Sequence, residues 1–290
     1  MRGIELYGKL VGLSIAILYF LFFEGNTTFE YIFFALVLVT IGIPHGAIDH
    51  LLLSPNINTK GLFKFLAKYI SIILIYLVLW IYLPLLALAA FLLMSAYHFG
   101  QSHFINFQIN KLKTATYILL GTYYLSVILW GDFAYTKNLL ESMLNIQNME
   151  GYGLPIIIGS FLFAILLIAY NQPSKAYYFI IEAVVMGVIL YQLPLLLSFI
   201  IYFGFWHALP SMNEEYRVLK KFLGKNQFYS FIKKLMPFTA ISLGGIWMLL
   251  AIFYTWMSPN ELVLFFFILI SLISAPHIWF MHMFLEKKDS

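Results

Sequence analysis

The chain has 290 residues, 62% of them hydrophobic and only 10% charged, with a mean hydropathy of +0.88. A soluble domain carries roughly 25% charged residues, so this composition excludes an ordinary water-soluble fold and indicates an integral membrane protein. The formal net charge of +4 is no nucleic-acid footprint, because the basic residues fall in short loops between apolar runs, and the absence of cysteine excludes disulfides, thiolate metal sites and thiol nucleophiles.

A spanning helix needs about 20 apolar residues. Hydropathy divides the chain into ten such spans, at 10–23, 29–53, 62–83, 84–107, 112–130, 154–170, 176–192, 193–209, 236–257 and 261–285. The first begins after Lys9, and no small-residue cleavage site follows it, so no cleavable signal peptide is expected. Residues 69–97 form one apolar run too long for a single helix, and we divide it at Leu83-Pro84. Residues 177–209 divide in the same way at Leu193-Pro194, since proline tolerates a helix start and disfavours a helix interior. The expected fold is therefore all-α: one polytopic membrane domain of about ten helices over residues 1–290.

The charges set the orientation. Lys and Arg collect in cytoplasmic loops. With ten spans and both termini cytoplasmic, one side receives Arg2, Lys9, Lys60, Lys64, Lys68, Lys111, Lys113, Lys175, Arg217, Lys220, Lys221, Lys225, Lys233, Lys234, Lys287 and Lys288, and the other only Lys137. The outer loops carry Glu24, Glu30, Asp132, Glu141, Glu150 and Glu261 instead. Residues 211–235 are the largest cytoplasmic element; their Glu/Arg/Lys pattern suits a surface helix, but a topology-setting basic loop is the simpler expectation. Glu182 lies inside the seventh span, placed to bond a neighbouring helix or to serve a proton path, and the sequence does not decide between the two.

All seven histidines fall in four short stretches: Gly42-Ile43-Pro44-His45-Gly46-Ala47-Ile48-Asp49-His50, Tyr97-His98-Phe99-Gly100-Gln101-Ser102-His103, Phe205-Trp206-His207, and Pro276-His277 through His282. Each lies on an even-numbered span. His45, His98, His207 and His277 come 14 to 16 residues after the start of their spans, which is roughly 21–24 Å of helix in each case. Four helices thus bring one histidine each to a common depth toward the cytoplasm. Ionisable side chains inside a membrane default to a functional reading, and four imidazoles without thiolate form a site for Fe, Zn, Cu or Ni. The prolines before His45 and His277 would loosen the helix and help aim the rings.

His50, His103 and His282 each follow by five residues, a second layer about 7.5 Å nearer the cytoplasm and turned about 140° from the first. They are expected behind the ligands or along a pocket wall. Asp49, four residues from His45, and Gln101, three from His98, are candidate acceptors for imidazole N–H groups. With 29 Phe and 20 Tyr the interior is rich in rings; most of these suit ordinary lipid-facing packing, but such a set would also suit a long conjugated ligand.

Pro44-His45-Gly46-Ala47-Ile48-Asp49-His50, Tyr97-His98-Phe99-Gly100-Gln101, Trp206-His207 and Pro276-His277 resemble the motifs of the Brp/Blh family of membrane β-carotene 15,15′-dioxygenases, over about residues 30–285. The resemblance implies a non-haem Fe(II) enzyme that cleaves the central double bond of β-carotene with O2, yields two molecules of all-trans-retinal and supplies them to a microbial rhodopsin. It implies a multi-pass protein of the cell (inner) membrane, in contact with membrane lipid. It makes His45, His98 and His207 iron ligands. Some members continue the Trp-His motif to a second histidine four residues on; that position here is Ser211, and the common depth nominates His277 as the fourth ligand instead. Tyr97, Phe99, Phe104, Phe205, Trp206 and Trp279 are the candidates to line the carotenoid tunnel, reached laterally from the bilayer.

Three other readings compete. A membrane di-iron desaturase or hydroxylase also uses histidine boxes, and His-x4-His occurs three times here; but the chain has no His-His pair, and seven histidines are few for two irons. A metal transporter would need polar residues leading to both faces, whereas the outer halves of the even spans (84–94, 194–201, 262–270) are nearly all apolar. A non-catalytic carotenoid carrier would not need the histidines.

Overall fold

The computed structural model describes residues 2–289, with side chains over residues 3–286. Arg2, Lys287 and Lys288, counted above among the cytoplasmic charges, have side chains outside the described set. In chain order the helices are α1 (Arg2–Leu18), α2 (Thr27–Val37), α3 (Asp49–Leu53), α4 (Thr59–Tyr82), α5 (Pro84–Ser102), α6 (Lys113–Gly131), α7 (Phe133–Leu140), α8 (Gly153–Asn171), α9 (Ala176–Gln192), α10 (Leu195–Ile201), α11 (Leu209–Leu219), α12 (Gln227–Phe253) and α13 (Pro259–Asp289). The described residues contain no strand. In hydrocarbon every backbone N–H and C=O must be satisfied within the chain, and the helix does this segment by segment.

Among the described residues nine helical stretches are long and apolar enough to cross a membrane, from Gly3–Phe23 to Pro259–Glu286. The tenth expected span is α9, which is apolar but only 17 residues long. At about 1.5 Å per residue it measures roughly 26 Å, the lower end of the spanning range. The two proline divisions are visible as helix ends: α4 stops at Tyr82 with Leu83 outside helical geometry, and α9 stops at Gln192. Polar side chains cap the helices that begin in loops. Asn26 accepts from the Phe29 N–H, Asn58 from Gly61 and Asp132 from Tyr135, at 2.8–3.2 Å.

Three helices continue into wider π turns, at Tyr19–Phe23, Leu38–Gly42 and Tyr202–Ala208. The second is followed by a 3-10 turn, Pro44–Gly46, before α3. Residues 211–235 are largely helical rather than an open loop. They take in most of α11, a 3-10 turn at Lys220–Phe222 and the start of α12, and Ser211, Glu214, Glu215, Leu219 and Leu223 are buried there. The stretch is charged but amphipathic, with Arg217 Nε holding Glu214 at 3.1 Å.

The chain separates into two compact units. The first runs to Leu38 and from Leu92 to Pro210; the second takes in Val39–Phe91 and the chain from Ser211 onward. In the first, α6 is the central post, packed against α8, α9 and α10, while α1 lies along the Tyr202–Ala208 turn and α2 along α10. Its core holds Leu120, Tyr124, Ile168, Met186, Leu190, Leu197, Ile200, Ile201 and Tyr202, all essentially inaccessible. In the second, α13 packs on α3, α4 and α12, and α12 also covers the Pro44–Gly46 turn. Polar ties hold α4 to α13: Trp80 Nε1 donates to Ser271 Oγ at 3.0 Å, and the Tyr69 hydroxyl to the Ile273 carbonyl at 3.1 Å.

Candidate metal centre

His45 sits where the backbone changes from the π turn to the 3-10 turn. Pro44 has no N–H and cannot continue a regular helix. The break leaves the Gly42 carbonyl facing the ring, and His45 Nδ1 bonds to it. With Nδ1 as donor, Nε2 keeps its lone pair, which is how a backbone carbonyl fixes the tautomer of a metal-binding imidazole. His98 is buried on α5 and His207 is buried near the end of the π turn that follows α10; their ring centroids lie 4.6 Å apart, nearly edge to face. Phe99 covers His207 at 4.7 Å and Phe203 lies 5.5 Å from it.

Among the described residues, His45, His98 and His207 each offer one ring nitrogen within 4.8 Å of the others, and the three, all buried, can hold a metal ion. The donor set fits: uncharged imidazoles without thiolate suit Fe, Zn, Cu or Ni and leave the cation its full charge. Gln101, buried one turn beyond His98, has an Oε1 with no hydrogen-bond partner among the described residues, a further polar atom of the kind such a site uses.

His277 stands beside His45, with centroids 4.7 Å apart and rings perpendicular. Its Nδ1–H donates to both carboxylate oxygens of Asp49 at 3.0 Å. The i, i+4 spacing puts Asp49 on the His45 face only if one helix runs through both. The 3-10 turn and the non-helical Ile48 intervene, and the carboxylate reaches α13 instead. Gly46 makes this approach possible, because a Cβ there would stand 3.2 Å from His277 Nδ1.

The remaining candidates separate. His50 is on α3, 4.7 Å from the Phe238 ring and beside a cavity of about 70 Å³ that Tyr69 and Ser242 also line. His103 stacks flat on Tyr124 at 4.9 Å and bonds to Tyr202. His282 is half-buried on α13. Phe99, Phe104, Phe205 and Trp206 are buried and Tyr97 half-buried. Trp279, expected among the lining residues, is 61% exposed; two residues past His277 on a helix is about 200° around the axis. Glu215, missed by the sequence reading, is fully inaccessible on α11. Only its position two residues from Arg217, inside a charged stretch, distinguished it, and that favoured the surface.

Residues 36–285 match the family model described as beta-carotene 15,15′-dioxygenase. The chain belongs to the β-carotene 15,15′-dioxygenase family. Neither a curated protein nor a solved structure matches it. The part matched by the dioxygenase family contains all seven histidines and Asp49, but not α1. The family's description is that of a carotene dioxygenase, and the buried histidine group in the matched part could hold a metal ion.

Proposed function

We propose that this protein is an iron-dependent dioxygenase that opens the central double bond of β-carotene with O2 and releases two molecules of all-trans-retinal. The observation that carries the reading is the buried group of His45, His98 and His207 in a chain of this family. His277 is the fourth ligand: Asp49 accepts its Nδ1–H, the carboxylate partner that orients a metal-binding imidazole and raises its basicity. Ferrous iron, when bound, supplies the one-electron chemistry by which ground-state O2 reacts with a carbon–carbon double bond. The reaction breaks one C=C bond and makes two C=O bonds, one oxygen atom to each half, so no outside reductant or proton is needed.

The protein's part is to bind, orient and keep water out. Four uncharged imidazoles, those of His45, His98, His207 and His277, would hold the iron and leave it its full charge. Phe99 packs against the His207 ring, and with Tyr97, Phe104, Phe205 and Trp206 it forms the apolar wall along which the polyene lies. β-Carotene dissolves in the bilayer, so it reaches the site sideways between helices of a protein in the cell (inner) membrane with both termini cytoplasmic. Retinal leaves by the same medium for a microbial rhodopsin.

The test is expression in β-carotene-producing bacteria, with extraction of retinoids, beside His45→Ala, His207→Ala and His277→Ala, and metal analysis of the purified proteins. Retinal as the sole cleavage product, lost in all three variants, with one iron per wild-type chain, is the expected result. Longer apocarotenals overturn central cleavage, two irons per chain favour the desaturase reading, and activity surviving His277→Ala removes the fourth ligand.

A further inference from the structure

The first unit contains a chain of polar side chains that the ligand set does not use. Lys9 of α1 sits 2.8 Å from a carboxylate oxygen of Glu182 on α9 and 3.2 Å from Glu5. The same Glu182 oxygen faces His103 Nδ1 at 4.0 Å. On its other side His103 Nε2 accepts from the Tyr202 hydroxyl at 3.0 Å. Tyr124 fixes both rings by stacking, on His103 at 4.9 Å with the planes 2° apart and on Tyr202 at 4.6 Å. Lys9 and Glu182 lie on apolar helical stretches, where charged groups are costly and default to a function.

What this chain touches is informative. His103 follows the last turn of α5, which carries His98. Tyr202 is the first residue of the π turn Tyr202–Ala208, which carries His207. A π turn is rare and persists where its surroundings over-determine it, commonly at a functional site. Here the Tyr202 hydroxyl ties its start to the end of α5, and α1 lies along its length with the Lys9 ammonium 5.9 Å from the Trp206 ring. We propose that Lys9, Glu182, His103 and Tyr202 form a strut that holds the His207 π turn in register with His98, and so positions two of the metal ligands without touching the metal.

The inference rests on the reading that His98 and His207 bind the metal. The four residues are positioning groups. Glu182 and Lys9 orient His103 with Nδ1–H toward the carboxylate, and His103 in turn fixes Tyr202.

Two variants that preserve shape test it: Tyr202→Phe, which removes one hydroxyl, and Glu182→Gln. The readouts are retention of Fe2+ against a chelator, the ligand-field spectrum of the Co2+-loaded protein, and the thermal midpoint of the metal-free protein. Loss of groups that orient ligands typically weakens metal binding about 10- to 100-fold, and that is the expected outcome for Tyr202→Phe. A shifted Co2+ spectrum and a metal-free midpoint close to wild type should accompany it, with a smaller change in the same direction for Glu182→Gln. Wild-type affinity and spectrum in both variants overturn the strut. A lowered metal-free midpoint with an unchanged spectrum also overturns it, since that is what simple packing would give. Absence of stoichiometric metal in wild type overturns the metal reading, and this inference with it.

Discussion

Gly100, in the His98-Phe99-Gly100-Gln101 motif, is the position where one methyl group should do most harm. A Cβ built there lies 1.8 Å from the Tyr117 carbonyl oxygen of α6, and one built on Gly121 lies 1.7 Å from the Ala96 carbonyl of α5. The two helices therefore cross backbone to backbone, through Ala96 and Gly100 on one side and Gly121 on the other, as small residues spaced by four permit. In Gly100→Ala the contact must open from 1.8 Å to at least 3.0 Å, and backbone, unlike a flexible side chain, gives way only if a whole helix moves. Alanine gains about 0.5–1 kcal/mol of helix preference over glycine, but overpacking costs about 1–3 kcal/mol, and the upper end applies here. The net is about 2–2.5 kcal/mol of destabilisation. His98 is two residues away on the same helix, and a misplacement of about 1 Å can cost on the order of 100-fold in rate. The assay is metal content, thermal midpoint and retinal output of purified Gly100→Ala beside Gly159→Ala, whose added methyl meets nothing within 4 Å. We expect metal retention and output to fall at least about tenfold in the first and to hold in the second. Wild-type metal, midpoint and output in Gly100→Ala would refute the close crossing as the reason for this glycine.

Pro44→Ala restores an N–H and lets the helix run on past Gly42, which would turn the His45 ring away from its carbonyl; metal retention should drop while the protein still folds, and equal retention would show that the turn does not depend on proline. Asp49→Asn keeps the size of the side chain but removes the negative acceptor of His277 Nδ1–H. It should weaken Fe2+ retention about 10- to 100-fold, and an unchanged chelator titration would detach Asp49 from the site. The chain has no cysteine, so single cysteines at exposed Lys60, Glu141 and Lys225 report sidedness directly. A membrane-impermeant maleimide added to intact cells should label only Glu141→Cys, and labelling of Lys60→Cys or Lys225→Cys would invert the orientation.

Much of the membrane architecture was legible because partition into hydrocarbon is close to additive along the chain. Hydropathy located the spans, proline marked the breaks at Leu83 and Leu193, and the confinement of seven histidines to four stretches pointed to a candidate metal site. Three of the four nominated ligands, His45, His98 and His207, lie in the buried group that can hold a metal. Direction was less legible. Depth along a helix follows from counting residues, but the face a residue presents depends on phase, and a π turn adds a residue to a turn and shifts the phase of all that follows. Asp49 serves His277 rather than the face of His45 because a 3-10 turn and the non-helical Ile48 intervene, and Trp279 points outward because two residues of regular helix turn it about 200° from His277. Burial of Glu214 and Glu215 within a charged stretch, and the pairing of Lys9 with Glu182 across 173 residues of sequence, were decided by tertiary packing alone. Composition places a segment in the membrane; only the packed helices determine which ionisable groups meet, because that depends on contacts between distant segments that no local pattern records.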